Sequence, residues 1–456
     1  MDASSGASLN RAGRARRAVT EEPTGLCVCP IEPAASVRPR APVSQYSLLR
    51  LALHALRGHR RWPRVLRNAE PRPAYDVVIV GGGGHGLATA YFLARQHGLR
   101  RVAVLERGAI GQGNSGRNTQ VSRSDYFHLS SSKFYERSLQ LYEGLSRELN
   151  FNVMMSQRGK INLAHDVHEL EILRRATNAC RANGVDGEML TTDELFRLVP
   201  LLNRRARFPI VGGSVQWRGG TSRHDAVVWG FARAATQLGV DIVQGCEVQG
   251  FVRDGDAVVG VETNLGRISA PRICLAVAGH STELARKAGL DLPLTSMALQ
   301  AMVSEPVKPM LDQVVMSAKA HVYVSQSDRG EMVIGGGADV YASYAQRGGL
   351  PITEANVQAC LELFPAFSRL RLMRQWAGIV DISPDTTPIM GPTPVPGLYV
   401  NCGWGTGGYK AIPAGGETMA YTLATGRPHP LIEPFGLERF AQGRLIDEGA
   451  AAGVAH

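Results

Sequence analysis

The sequence predicts an α/β fold in which a parallel-sheet domain, assembled from separated stretches of chain, carries an inserted antiparallel-sheet domain. Three observations carry that prediction. Tyr75 to Gly86 reads as a buried strand, a glycine turn and the start of a helix. Apolar strand-like runs leading into glycine turns recur much later, at Ile273 to Gly279 and Leu398 to Gly403. Between them, residues 297–375 alternate apolar and polar, as in Val322-Tyr323-Val324, the period of an antiparallel strand with one buried face. No internal repeat is visible.

The first stretch defines the parallel-sheet domain. Val77-Val78-Ile79-Val80 is the continuous β-branched run of a strand buried on both faces. Gly81, Gly83 and Gly86 then fit G-x-G-x-x-G: a tight turn, a close approach of backbone to a pyrophosphate, and close packing of helix on strand. Gly84 and His85 open the helix, whose free N–H groups and positive dipole end suit phosphates. A second strand, Val102 to Leu105, ends at Glu106, twenty residues past Gly86, where a carboxylate holds ribose hydroxyls. The glycine pattern alone is weak. With the strand before it, the helix after it and the acid in place, it predicts a Rossmann-type dinucleotide site. The polar loop from Gly108 to Arg123 supplies further donors, Asn114, Ser115, Arg117 and Thr119 among them, suited to phosphate and ring contacts.

The remaining elements follow in order. Helical pattern runs from about Ser131 to Leu149. Strands flank the turn Gln157-Arg158-Gly159-Lys160. A charged amphipathic helix spans Val167 to Asn183, and Thr191 with Glu194 predicts a capping box. After Gly219 to Asp225 comes a helix from Ala226 to Leu238, the strand Val240 to Val243, then Val248 and two more strands to Val261. A helix is expected at Thr353 to Leu363, and a closing helix after the glycine-rich loop Gly403 to Gly408. The expected domains are 75–160, 205–290 and 376–456 for the nucleotide-binding domain, and 161–204 with 291–375 for the substrate domain. A binding domain interrupted in this way favours FAD over a nicotinamide dinucleotide.

Composition narrows the function class. The 456 residues carry a formal net charge of +10, but residues 1–74 hold thirteen arginines against five acids, so the rest is within two charges of neutral. A nucleic-acid footprint is therefore not expected. No apolar run reaches the ~20 residues of a membrane span. Seven scattered cysteines without a pairing pattern point to a reducing, cytoplasmic setting, and Cys27-x-Cys29 lacks the second pair a metal site needs. Residues 1–43 read as a disordered leader, consistent with a start assigned too far upstream. Residues 44–74 read as an arm whose Tyr46, Leu48, Leu49, Leu51, Leu53, Leu56 and Trp62 form a short amphipathic helix packing on the body.

Together these stretches resemble the D-amino-acid-oxidase-type flavoproteins and, within them, the beta subunits of heterotetrameric sarcosine oxidases. The resemblance runs from about Tyr46 to His456. It rests on Tyr75 to Glu106, Gly116-Arg117-Asn118-Thr119 with Arg123-Ser124, Ser156 to Gly159, Gly220 to Ala235, Asn401 to Lys410 and Leu445 to Glu448. It implies oxidation of sarcosine at a non-covalent FAD, with an FMN held covalently by a histidine. It further implies electron transfer to oxygen with formation of hydrogen peroxide. The implied partners are alpha, gamma and delta subunits, with tetrahydrofolate capturing the one-carbon unit as 5,10-methylenetetrahydrofolate and glycine released. Alternatives are oxidation of another secondary or D-amino acid, a tRNA-modifying flavoenzyme, or a non-catalytic electron-transfer subunit.

Oxidising an N-methyl amino acid requires cationic anchors for the substrate carboxylate. Arg123, beside the cofactor loop, and Lys410, at the end of the Gly403–Gly408 run, are the expected pair, with Gly405 and Gly408 bringing backbone to the flavin. His224 lies in the first turn of its helix, where the dipole and Arg223 both disfavour imidazolium. A neutral imidazole is the form able to attack the 8-methyl carbon of a flavin. The resemblance implies that His224 carries the FMN, with Arg223 balancing its charge. Val248 is expected at the FAD. Val333 is expected where related single-chain enzymes carry an oxygen-activating lysine, and Gly378 where they carry a flavin-linking cysteine. Gln120, Ser122 and Asp125 depart from the commoner Thr, Ile and Asn and are expected near the substrate cavity.

Overall fold

A computed structural model describes residues 48–58, 60, 66 and 68–446 of the chain. It divides into one unit of residues 1–63 and another of residues 64–456. In the first, Leu48–Leu56 is a helix, as expected, and Leu48, Leu49, Leu51, Leu53 and Leu56 are exposed on it. The expected leader 1–43, Tyr46, Trp62, both Cys27 and Cys29, and Asp447-Glu448 lie outside the described residues.

The second unit is built on two large sheets. The first has six strands in the order Ile389–Pro392, Leu398–Cys402, Ile273–Leu275, Val77–Val80, Val102–Glu106 and Asp241–Gln244. All neighbours are parallel except the first pair. Successive side chains of a strand face opposite sides, so Val77 and Ile79 enter one core and Val78 and Val80 the other. On the Ile79 side lie the helices Gly84–Gln96, His224–Gln237 and Ile412–Thr425, with Leu87, Leu93, Phe231 and Met419 fully buried among them. On the Val78 side lies a three-stranded antiparallel sheet, Val248–Asp254, Ala257–Thr263 and Gly266–Ser269, contributing Val258, Val261 and Ile268. This is the predicted α/β, Rossmann-type arrangement, and it is discontinuous in sequence.

The second sheet has eight strands: Leu372–Ile382, Thr295–Pro306, Glu331–Ala342, Val322–Gln326, Val314–Ser317, Lys160–Ala164, Gly212–Gln216 and Glu188–Leu190. Only the pair Val314–Ser317 with Lys160–Ala164 is parallel. Two of its strands correct the expected boundaries. Gly212–Gln216 belongs here rather than with 205–290. Its Gly-Gly-Ser-Val-Gln sequence carries no strand alternation, yet glycine is what the site requires: a Cβ on Gly213 would stand 2.4 Å from the Asn162 carbonyl oxygen. Leu372–Ile382 likewise continues past 375 and pairs along its length with Thr295–Pro306. Lys160, expected in a turn, is instead the buried first residue of a strand.

The helices Leu129–Glu148, Val167–Ala182 and Leu350–Leu363 fall within three residues of the expected bounds. The capping box is present: Thr191 Oγ1 accepts from Glu194 N–H while the Glu194 carboxylate accepts from Thr191 N–H. Among the described residues no helix is long and apolar enough to cross a membrane.

Candidate active site

A cavity of about 660 Å³ lies between the C-terminal ends of the parallel strands and one face of the eight-stranded sheet. Gly81, Gly83, Gly84, His85, Glu106, Asn114, Ser115, Arg117, Thr119, Arg123, Val248, Gly405, Gly408 and Lys410 all line it. The structure therefore brings together residues expected to act together from five separated stretches.

The glycine turn is built by exclusion of side chains. Gly81 has φ +112°, and a Cβ there would stand 2.3 Å from the Ala276 carbonyl oxygen. Gly86 lies beneath the lining; its Cβ would meet the Gly81 carbonyl oxygen at 2.0 Å, so only glycine lets the helix start close to the strand. Gly84 N–H, at the helix start, donates to Ser115 Oγ at 2.9 Å. Glu106 at the end of the second strand accepts from Gly82 N–H and Gly108 N–H, both at 2.8 Å. These bonds fix its carboxylate at the cavity wall with lone pairs left for ribose hydroxyls.

The 108–123 loop is fastened to the other sheet. Asn114 makes a two-way amide pair with Ile379, accepting from its N–H at 2.9 Å and donating to its carbonyl at 2.5 Å. Trp376 Nε1–H donates to the Arg117 carbonyl at 2.6 Å. Arg117 itself donates to the carbonyls of Gln112 and Gly113. Thr119 hydrogen-bonds the half-buried Tyr323, whose phenol is pushed up to about 12 by desolvation. Across the sheet, Ala301, Tyr323 and Met316 stand in one row facing the cavity.

The glycine-rich loop closes the site from the C-terminal side. Asp381 Oδ2 accepts from Gly403 N–H at 2.6 Å, and its carbonyl accepts from Gly405 N–H at 2.9 Å. Burial pushes the Asp381 carboxyl up to about 6 against the opposing effect of these backbone donors. His85 Nε2–H donates to the Gly408 carbonyl at 2.8 Å, and the ring stacks on Trp404 at 4.3 Å. Burial lowers His85 to about 4, so the imidazole is neutral; its Nδ1 is buried with no hydrogen-bond partner.

The two expected anchors are both buried. Arg123 is 5% exposed, lies over the Tyr126 ring at 4.4 Å and pairs with Asp125 at 2.8 Å. Lys410 Nζ donates to the Thr406 carbonyl at 2.9 Å. Burial and then the Arg123 charge hold Lys410 well below an ordinary lysine, with Asp125 opposing and Lys160 adding to the fall. Arg123 and a lysine whose protonated form an anion would restore, both facing one cavity, can form a receptor for an anion.

His224 and Arg223 do not line this cavity. His224 opens the His224–Gln237 helix, and Arg223 pairs with Asp225 at 2.8 Å and Asp328 at 3.2 Å. His224 Nδ1 is buried with no hydrogen-bond partner, and burial lowers its pKa, Asp225 opposing and Arg223 and Arg329 adding to the fall. The imidazole is thus held neutral at a place separate from the cavity.

Gly378 lines the cavity beside Asn114, whereas Val333 does not. Val333 is buried opposite Val303 and Ser325, two residues along its strand from Gly335, the glycine paired with Tyr323. Of the three polar departures, Gln120 lines the cavity. Ser122 is buried against Ser222 at 3.1 Å, and Asp125 sits behind Arg123. Asp381, Tyr323 and Lys160 were not singled out from sequence. A charge inside the apolar run Gly378 to Ile382 was a usable signal for Asp381; Lys160 had none nearby.

Residues 76–422 match the family described as FAD dependent oxidoreductase, DAO. The chain is 49% identical over 413 residues to the sarcosine oxidase subunit beta of Rhodobacter capsulatus, covering 90% of this chain and all of that one. It is 50% identical over 391 residues to the protein of the same description from an Arthrobacter species, covering 85% and 96%. Among solved structures it resembles L-proline dehydrogenase from P. horikoshii, with a TM-score of 0.77 and 26% identity over 82% of this chain and all of that one. Glycine oxidase from Geobacillus kaustophilus shares the fold, with a TM-score of 0.74 and 22% identity over 81% and 99%.

Proposed function

The chain belongs to the DAO family of FAD dependent oxidoreductases, and from that premise we propose that it oxidises sarcosine as the beta subunit of a multi-subunit oxidase. The observation that carries the substrate reading is the convergence of buried Arg123 and Lys410 on the cavity of the glycine turn. In this reading the turn Gly81–Gly86 and Glu106 hold the dinucleotide. Arg123 and Lys410 hold the substrate carboxylate, which orients the N-methyl carbon toward the ring. FAD, when bound, supplies acceptance of the hydride, leaving an imine once the amine proton has departed. The carboxylate also stabilises the protonated form of Lys410 that burial disfavours. The glycine-rich loop excludes water and presents backbone N–H groups to the flavin.

His224 fits a covalent flavin: its buried Nδ1 is unpartnered and its ring neutral, so a nucleophilic nitrogen is available there. FMN attached through His224, with Arg223 beside it, would supply a route for electrons to oxygen, yielding hydrogen peroxide. Because His224 does not line the cavity, that flavin would occupy a second site apart from the dinucleotide. Alpha, gamma and delta subunits complete the assembly in this reading, with tetrahydrofolate on the alpha subunit taking the one-carbon unit, in the cytoplasm.

Acid denaturation of the complex purified with its co-expressed subunits tests both parts. One flavin is expected to be released as FAD and one to remain on a peptide containing His224. Release of all flavin would overturn the two-flavin reading, and failure of sarcosine to bleach the FAD would overturn the substrate.

A further inference from the structure

Asp125 stands between two buried cations. Its Oδ1 accepts from Arg123 Nη1 and its Oδ2 from Lys160 Nζ, each at 2.8 Å. Lys160 comes from the other sheet, as the first residue of the strand Lys160–Ala164, and also donates to Asn162 Oδ1 at 2.5 Å. Its side chain is 3% exposed. Burying an ammonium costs several kcal/mol per ion before its partners offset the loss, so an apolar side chain here would be the cheaper solution for folding alone.

Counting charge supplies a reason for the lysine. Arg123 and Asp125 by themselves sum to zero, and a neutralised guanidinium is a poor receptor for a second carboxylate. With Lys160 the trio carries one net positive charge, and the cation that faces the cavity is Arg123. We propose that Lys160 is a positioning residue for the substrate: by engaging Asp125 across the domain boundary it returns the charge of Arg123 to the cavity, so that a carboxylate binds there. This rests on Arg123 being the carboxylate anchor.

Geometry supports the arrangement. Arg123 is fixed on three sides, by the Asp125 side chain, by the Asp125 carbonyl at 3.2 Å and by the Tyr126 ring. Tyr126 is itself stacked on Tyr135 at 3.7 Å. The charged and titratable groups around Lys160 are Asp125 and Arg123 from the loop, Cys180 from the Val167–Ala182 helix and Lys410 from the glycine-rich loop. Burial lowers Lys160 to about 8, with Asp125 opposing and Arg123 adding to the fall. Loss of that proton at alkaline pH would leave the Arg123–Asp125 pair neutral and weaken carboxylate binding.

The test titrates the FAD-loaded holoenzyme with methoxyacetate, a sarcosine isostere with an ether oxygen in place of the amine, and follows the flavin absorbance. Sarcosine kinetics are measured alongside. Lys160→Met is expected to weaken methoxyacetate binding and raise KM roughly tenfold or more, with kcat changed by less than about threefold. Lys160→Arg is expected to restore binding and move its alkaline loss to higher pH. Removing both charges in Lys160→Met/Asp125→Asn leaves Arg123 unopposed and is expected to recover binding to within about threefold of wild type. Unchanged binding in Lys160→Met, or a double variant as weak as Lys160→Met, would overturn the proposal. Arg123→Met separates the two readings. If it loses methoxyacetate while Lys160→Met does not, only the role of Lys160 falls. If it binds like wild type, the anchor assignment falls and this proposal with it.

Discussion

The two ends of the cavity are specified by different physics. At the glycine turn, Gly81, Gly83, Gly84 and Gly86 shape the site by what they lack, and the groups offered to the cofactor are mostly main-chain. At the end proposed to hold the carboxylate, Arg123, Asp125, Lys160 and Lys410 meet from three stretches of chain and shape the site by charge. The first end is steric and local, so one methyl group in the wrong place defeats it. The second is electrostatic and assembled, so it responds in degrees and tolerates a change of shape better than a change of sign.

The largest effect is expected where the contrast is sharpest. Gly86→Ala places a Cβ 2.0 Å from a backbone oxygen that no rotamer change can move. It should destabilise the protein by about 3 kcal/mol or more and abolish FAD retention, read by thermal unfolding and by flavin content after purification. An alanine variant that purifies with stoichiometric FAD would show that the turn is less sterically determined than its geometry indicates. Next comes Lys410→Met, which preserves size and removes charge. FAD should be retained while kcat/KM for sarcosine falls roughly a hundredfold, equivalent to about 2.7 kcal/mol. Loss of FAD in this variant would merge the two ends into one.

A third effect, on stability rather than on binding and confined to acid pH, lies at Asp381, which joins them by holding the Gly403–Gly405 backbone at the cavity wall. Its pKa is raised in the folded state from 3.8 to about 6, so the folded protein binds the proton more tightly than the unfolded chain. The sign follows: Asp381 weakens stability progressively as pH rises from about 4 to about 6, and the loss then levels off, at most about 3 kcal/mol. Asp381→Asn should remove that part of the pH dependence in urea unfolding measured across this range. An unchanged slope would show that the carboxylate is ionised in the fold without penalty.

The same division explains what was legible in the sequence. Val77 to Val80, the glycine pattern and Glu106 could be read because a parallel strand and a tight turn impose their demands on adjacent residues. Thr191 with Glu194 was legible for the same reason, a capping box being complete within four residues. Lys160 was not. Gly159-Lys160 looks like the end of a turn, and its burial depends on Asp125, which arrives from a loop thirty-five residues earlier. Gly212–Gln216 was missed because the glycines that make it fit beside Asn162 also erase the alternation that marks a strand. Alternation along its strand does not tell which side of the sheet Val333 faces, and in the fold it is buried opposite Val303 and Ser325 without lining the cavity. Arg123 and Lys410 were expected as a pair and both line the cavity, but their electrostatic coupling to Asp125 and Lys160 is a property of the assembled fold.

The order of strands in the parallel sheet bears on how the chain comes to be folded at all. Val77–Val80 has Ile273–Leu275 as one neighbour, and Leu398–Cys402 lies beyond it. During synthesis Val77–Val80 therefore waits nearly two hundred residues for one of its two neighbours, and that neighbour waits more than a hundred further for its own outer partner. Pairings so distant in sequence make assembly slow and leave apolar strand edges open meanwhile. An N-terminal fragment carrying the whole glycine turn but ending before Leu398 would leave Ile273–Leu275 without its outer neighbour. Completion of the sheet behind the glycine turn is thus expected only once Leu398–Cys402 has been made, and yield in a foreign host should rise with chaperone supply.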